Sequence, residues 1–215
     1  MTPTEAHAQR PRIEGDRELE ILEAALEVLA DVGYDRLTMD AVATRARASK
    51  ATLYRRWNTK VGLVIDALLA EKSAPPVPDT GSFRGDLIAA FCGVGGLVDA
   101  KTVGTFSSVL TALTRDEEFA AEFRSRVIGP KIEMSRVVYE RAKTRGEVRP
   151  DLDVGLFGPA LAGICLHRFF LLGEPPTREL VSRVIDQIIV PAATATVPRE
   201  SLPKETLSTT EATHV

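Results

Sequence analysis

Across residues 16–72 apolar side chains return at every third or fourth position, in four runs divided by short breaks. That period admits helices and excludes strands. In the first run Ile21, Leu22, Ala25, Leu26, Leu29 and Val32 share one face, with Glu20, Glu23, Glu27 and Asp31 on the other. Gly33, which readily takes a left-handed C-terminal cap, is expected to stop it. Thr38 can N-cap a short second helix with Met39, Val42, Ala43 and Ala46 on one face. Ser49 can cap a third, turning Leu53 and Trp57 inward and leaving Lys50, Thr52, Tyr54 and Arg56 largely outward. A fourth helix is expected over 59–72, with Leu63, Val64, Ala67 and Leu68 on its apolar face.

"SAPPVPDTGS" then breaks the pattern, because successive prolines exclude helix and favour extended chain. The organisation read from these signals is a flexible basic arm over 1–15, a helical domain over 16–72, a linker over 73–81, a second helical domain over 82–193 and a disordered tail over 194–215. Helices are expected in the second domain over 83–98, 102–113, 116–144, 154–172 and 177–193, with a kink at Gly129-Pro130 and a stop at Gly146. The chain is thus all-α, with about nine helices and no internal repeat or strand pattern. Leu180, Val181, Val184, Ile185, Ile188 and Ile189 form a helical stripe, and the preceding helix is apolar on nearly every side. So much apolar surface on one helix pair calls for a helical partner.

"LFGPALAGICLHRFFLLG" approaches the minimum length of a membrane span, but Gly158, Pro159, His167 and Arg168 interrupt it. A buried helix is expected instead, with no membrane partner. The N-terminal segment has no apolar h-region of a secretory signal. Cys92 and Cys165 are far apart, each in an apolar segment, and read as reduced thiols with no disulfide or metal role.

The formal net charge is −3, so attraction to nucleic acid must come from a local patch. Such a patch exists. "ATRARASKATLYRRWNTK", residues 43–60, carries Arg45, Arg47, Lys50, Arg55, Arg56 and Lys60 and no acid. A run of cations is ordinarily a solvated surface. Here it coincides with two short capped helices and with Tyr and Thr among the charges, the arrangement that lays one helix in a major groove about 12 Å wide. Lys50, Ala51 and Thr52 open that helix, where base edges lie. Tyr54, Arg56 and Lys60 follow where phosphates run.

The segment "AALEVLADVGYDRLTMDAVATRARASKATLYRRWNTKVGL" resembles the DNA-binding segment of the TetR family of bacterial transcriptional regulators, in its Gly-Tyr, the Thr of helix 2, Ser-Lys, Thr-Leu-Tyr and the aromatic before a Lys. "GEVRPDLDVGLFGPALAGICLHRFFLLGEPPT" resembles the ligand-binding domain of a common subgroup. The resemblance implies a cytoplasmic, all-helical homodimer with N-terminal helix-turn-helix units, joined by its last two helices in a four-helix bundle. It implies phosphate contacts at Thr38, Tyr54, Arg56 and Lys60, and base-edge positions at Asp40, Lys50, Ala51 and Thr52, with Ser49 and Arg47 beside them. Lys50 suits guanine O6 and N7, and Ala51 a thymine methyl. Leu161, Cys165, Arg168, Phe169, Val181, Val184, Ile185 and Ile188 are the expected dimer contacts. Two positions depart from the family pattern. Arg47 occupies a turn position usually held by Gly, where a left-handed backbone would cost roughly 1 kcal/mol or more. Trp57 replaces the usual Phe, and its indole N–H needs a partner.

The same resemblance places a pocket for a small hydrophobic effector over 82–145. Phe91, Phe106, Phe119 and Phe123 can line it, with Thr105 and Thr111 among the orienting hydroxyls, or the phenylalanines can be ordinary core. Gly93, Gly95 and Gly96 mark close helix packing or room for a ligand. No cofactor is implied. No Gly-rich phosphate loop, HExxH, GxSxG or zinc-spaced cluster points to an enzyme. His7 and His214 lie near the ends, and His167 stands alone on an apolar helix. Two other readings stay open: a nonspecific DNA-binding protein, disfavoured by the acidic face of the first helix, and a helical small-molecule-binding protein or enzyme whose basic island is only surface.

Overall fold

Helix α1, Arg10–Arg36, is the spine of the N-terminal half. It starts ahead of the expected boundary at 16, so the segment read as an arm is helical from Arg10. Gly33 interrupts it with φ 74° and ψ 167°, a positive-φ break with an extended ψ in place of the expected left-handed cap. The computed structural model describes residues 10–70, 76–93, 98 and 100–195, with backbone alone for 10–14 and 100–106. Residues 1–9 of the expected arm, part of the linker, Gly95, Gly96, and the tail from 196 lie outside the described residues.

Helices α2, Met39–Arg45, and α3, Lys50–Arg56, are capped as their sequence requires: Thr38 Oγ1 accepts from the Ala41 N–H at 3.1 Å and Ser49 Oγ from the Thr52 N–H at 3.1 Å. Helix α4, Lys60–Ala70, follows. Beyond the proline stretch come α5, Phe83–Cys92, and α6, Ala100–Arg115. Asp116 then caps α7, Glu117–Glu122, which widens into a π-helical turn over Phe123–Ile128 before α8, Gly129–Thr144. Helix α9 is Val154–Leu172, and α10, Arg178–Val184, passes through a second π turn over Ile185–Ile189 into α11, Val190–Thr194. Joining each π turn to its flanking helices gives nine helical rods among the described residues.

The expected kink at Gly129-Pro130 takes the form of the first π turn. Both π turns end just before a proline, Pro130 and Pro191, placed in the first turn of the next helix. A proline ring collides with the carbonyl four residues back, and widening the preceding turn moves that carbonyl aside.

Two apolar cores form, and they do not divide at the proline stretch. The first joins α1–α4 to Val109 and Ala112 of α6, Phe119 of α7, and Phe123 and Val127 of the π turn. The second gathers α5, α8, α9 and α10 around Tyr139, Leu87 and Ile185. The fold therefore inserts α6 and α7 of the second half against the spine of the first.

This packing corrects several expectations. Phe119 and Phe123 are 0% and 4% exposed in the first core, where the Phe119 ring is tilted against Tyr34 with ring centroids 4.4 Å apart, so of the two readings open for them the packing favours core. Thr111 is exposed, and Phe91 packs at the margin of the second core. The side chains of Thr105 and Phe106 lie outside the described residues. Among the expected dimer contacts, Leu161, Cys165, Val181, Val184 and Ile185 are buried within their own chain. They face α5 and α8, the partners that a reading of α9 and α10 alone did not supply. Burial pushes the Cys165 thiol up to about 11, as for a core residue. Arg168 is tied to Glu174, Phe169 is half-buried, and Ile188 is exposed.

Helix α9 is also not the buried helix its composition suggested. Only Leu161 and Cys165 are buried, while Leu156, Leu171 and Leu172 are among the most exposed large apolar side chains. By length and composition alone α9 is apolar enough to cross a membrane.

Candidate nucleic-acid interface

The second and third helices are seven residues each, too short to persist without caps and a core behind them. Leu53 and Trp57 supply the core, at 0% and 4% exposure. The opposite side of α3 is left to solvent: Lys50, Ala51, Tyr54, Arg55 and Arg56 are exposed. Thr38, Asp40, Arg47 and Ser49 are exposed beside them, and Thr52 and Lys60 are half-buried. All ten residues expected at DNA thus fall on the α2–turn–α3–α4 segment and remain at least partly accessible.

Arg47 adopts φ 50°, the left-handed conformation expected of the glycine usual at this turn. Arg17 reaches this turn from α1 and donates to the carbonyls of Ala46 and Arg47 at 2.8 Å each. No local sequence signal marks that role, because it spans 30 positions.

The basic island turns out to be partly neutralised. Arg45 bonds Glu27 and Asp31 of α1 at 3.0 and 2.7 Å, Arg56 bonds Glu18 at 2.9 Å, and Lys50 Nζ meets Asp40 Oδ2 at 2.5 Å. These carboxylates raise the pKa of each cation: Asp31 first at Arg45, Asp40 at Lys50, Glu18 at Arg56. The acidic face of α1 therefore organises the cations as well as balancing them. Such exposed pairs exchange readily for phosphate. Two groups expected near bases are already mutually engaged, since Asp40 orients Lys50. Likewise Ser49 Oγ and Thr52 Oγ1 share a hydrogen at 2.8 Å.

Lys60 stands differently. Its ammonium donates to the Tyr34 carbonyl at 3.2 Å and lies 4.0 Å above the Tyr34 ring. The Tyr34 hydroxyl in turn donates to Asp116 Oδ2 at 2.9 Å, and burial followed by this bond raises its pKa well above the usual tyrosine range. Asp116 is held below the usual carboxylate range, chiefly by the Phe119 N–H, with Tyr34 contributing. Trp57 finds its partner too, donating Nε1–H to Asp66 Oδ2 at 2.8 Å. No group of three or more potential metal ligands occurs among the described residues.

Residues 21–67 match the family model of bacterial regulatory proteins of the tetR family, and residues 77–188 match that of the tetracyclin repressor-like C-terminal domain. Rv1556 of Mycobacterium tuberculosis, an uncharacterized HTH-type transcriptional regulator, is 34% identical over 184 residues, covering 83% of this chain and 88% of its own. The DNA-binding transcriptional repressor TetR of Mycobacteroides abscessus is 33% identical over 176 residues, 81% of this chain and 92% of its own. Among solved structures, the TetR family transcription regulator SCO0332 superposes with a TM-score of 0.63 at 25% identity, over 84% of this chain and 100% of that one. FadR from Bacillus subtilis, in complex with stearoyl-CoA, shares the fold with a TM-score of 0.66 at 16% identity, over 80% and 97%. Helix-turn-helix geometry and both halves of the family pattern coincide in one chain, which belongs to the TetR family of DNA-binding transcriptional regulators.

Proposed function

We propose that this regulator is a non-enzymatic cytoplasmic repressor that binds a palindromic operator as a homodimer and leaves it when a small hydrophobic molecule binds the C-terminal half. The observation that carries the DNA reading is the exposed edge of α3, where Lys50, Ala51 and Tyr54 stand clear of a core that fixes Leu53 and Trp57. Lys50 is assigned to a guanine edge, and Tyr54, Arg56 and Lys60 to phosphates. Dimerisation is supported by α9, whose exposed Leu156, Leu171 and Leu172, with Ile188 nearby in sequence on the following rod, form apolar surface that a second copy would bury. The interface proposed is therefore the outward residues of α9 and the second π turn. The Mycobacteroides abscessus relative is a named repressor and the Bacillus subtilis neighbour holds stearoyl-CoA; both favour repression and an apolar effector here.

Selection of bound duplexes from a random DNA pool at fixed salt tests the reading, with Lys50→Ala and Tyr54→Ala compared against the intact protein. The expected result is a palindromic site, relaxed at one symmetric base pair in Lys50→Ala and weakened uniformly in Tyr54→Ala. Folded protein that retains no duplex would return the chain to a ligand-binding role without DNA. Equal retention of all sequences would make it a nonspecific DNA-binding protein.

A further inference from the structure

The recognition helix α3 ends at Trp57, the only tryptophan of the chain, and that residue caps it. The Trp57 indole is 4% exposed and gives its one hydrogen to Asp66 Oδ2 at 2.8 Å. The other oxygen of the same carboxylate, Oδ1, accepts from Arg126 Nη2 at 2.7 Å. Asp66 belongs to α4, whereas Arg126 lies in the π turn over Phe123–Ile128 of the C-terminal half. One carboxylate thus joins the end of the DNA-reading helix to the second half of the molecule, one oxygen to each side. Among the described residues, the other charges near it include Glu122, 3.8 Å from Arg126, and Arg56, whose guanidinium sits 5.6 Å from the Trp57 ring centroid and pairs with Glu18. Glu18, Arg56, Asp66 and Arg126 also share the walls of one open cleft between α1, α4 and the π turn.

We propose that Asp66 is a positioning residue for DNA recognition, holding Trp57 and hence the C-terminal end of α3 in a register set by Arg126. The proposal rests on the operator-binding reading above. The π turn carries Arg126 at a spacing that Pro130 sets, so any change in that spacing shifts every side chain along it. Such a shift carries Arg126 away from Asp66. The carboxylate, itself partly accessible, then turns to water and its hold on the indole N–H weakens. Arg126 need not approach DNA for this to change binding.

The lone tryptophan makes the latch readable without DNA. In the full-length protein, Arg126→Gln is expected to shift the emission of Trp57 while leaving the far-ultraviolet circular dichroism unchanged. On the site enriched by the intact protein, Arg126→Gln is expected to bind about threefold or more weakly, with an unaltered salt slope; a lost phosphate contact would instead lower that slope by about one. In the Trp57→Phe background, which lacks the N–H, the same substitution should change binding less than about twofold. An unmoved emission, or effects of Arg126→Gln and Trp57→Phe that multiply, overturns the proposal. If no site is enriched, the regulator reading falls, and the Trp57 emission alone decides the latch.

Discussion

Arg17 holds the turn that Arg47 strains. One nitrogen of the Arg17 guanidinium donates to the carbonyls of both Ala46 and Arg47, and Arg47 alone among the described non-glycine residues has a positive φ, at 50°. The bonds anchor the turn to α1, so the angle between α2 and α3 depends on a residue nearly thirty positions away.

Two substitutions separate strain from clamp. Arg47→Gly removes the left-handed penalty and is expected to stabilise the fold by about 1 kcal/mol in denaturant unfolding. Arg17→Ala releases both carbonyls, and is expected to destabilise by about 1 to 2 kcal/mol and to weaken binding at the selected operator. Glycine at 47 in the Arg17→Ala background should recover stability but not operator affinity, because it relieves strain without aiming α3. Full recovery of affinity would show that the clamp has no aiming role.

The helix-turn-helix was legible because its determinants are local. Thr38 and Ser49 accept from backbone N–H groups three residues on, and a cap of that kind is written within four letters. Arg47 could be marked as strained from the motif alone. Arg17, Asp66 and Asp116 could not be found that way, since each acts on a residue distant in sequence. In the C-terminal half the same limit left alternatives open. Phe119 and Phe123 could be pocket wall or core by composition, and α7 and the π turn after it pack them as core with α1. On α9 and α10 the apolar pattern gave the helices correctly and left undecided which apolar side met α5 and α8.

The Lys50–Asp40 pair makes a prediction about specificity. Asp40 both orients the ammonium and adds a negative charge at the DNA face. Asp40→Asn is expected to tighten binding to any duplex while lowering the ratio between the selected site and a scrambled one. Filter binding of both duplexes at one salt concentration checks this; an increased ratio would mean that Asp40 only competes for Lys50.

Asp86 gives the fold an acid limit. It is fully buried; burial alone would raise its pKa, but the Thr80 N–H at 2.6 Å, the Arg145 guanidinium at 2.9 Å and the Thr80 hydroxyl at 2.8 Å together hold it below the usual carboxylate range. A folded pKa below the unfolded value, about 3.9, contributes stability that is full above that pH and is lost as pH falls through the folded value. Asp86→Asn is therefore expected to cost about 1 to 3 kcal/mol at pH 7, with the difference from wild type narrowing below about pH 4. Urea unfolding at pH 7 and pH 3 measures it, and a gap independent of pH would assign the loss to packing.

Burial and association should separate on α9. Leu161 is 1% exposed in the second core, and Leu161→Ala is expected to lower unfolding stability by about 2 to 5 kcal/mol through the cavity it leaves. Leu171 is 71% exposed and Leu156 69%, so an acidic side chain at either costs the isolated chain little. In the proposed dimer each would face its own two-fold copy or a neighbouring apolar side chain, and a buried unpaired charge there opposes association strongly. Leu156→Glu with Leu171→Glu is thus expected to sediment as a folded monomer, with near-native unfolding per chain at high dilution and much reduced operator affinity. A double variant that remains dimeric would move the interface off this face of α9.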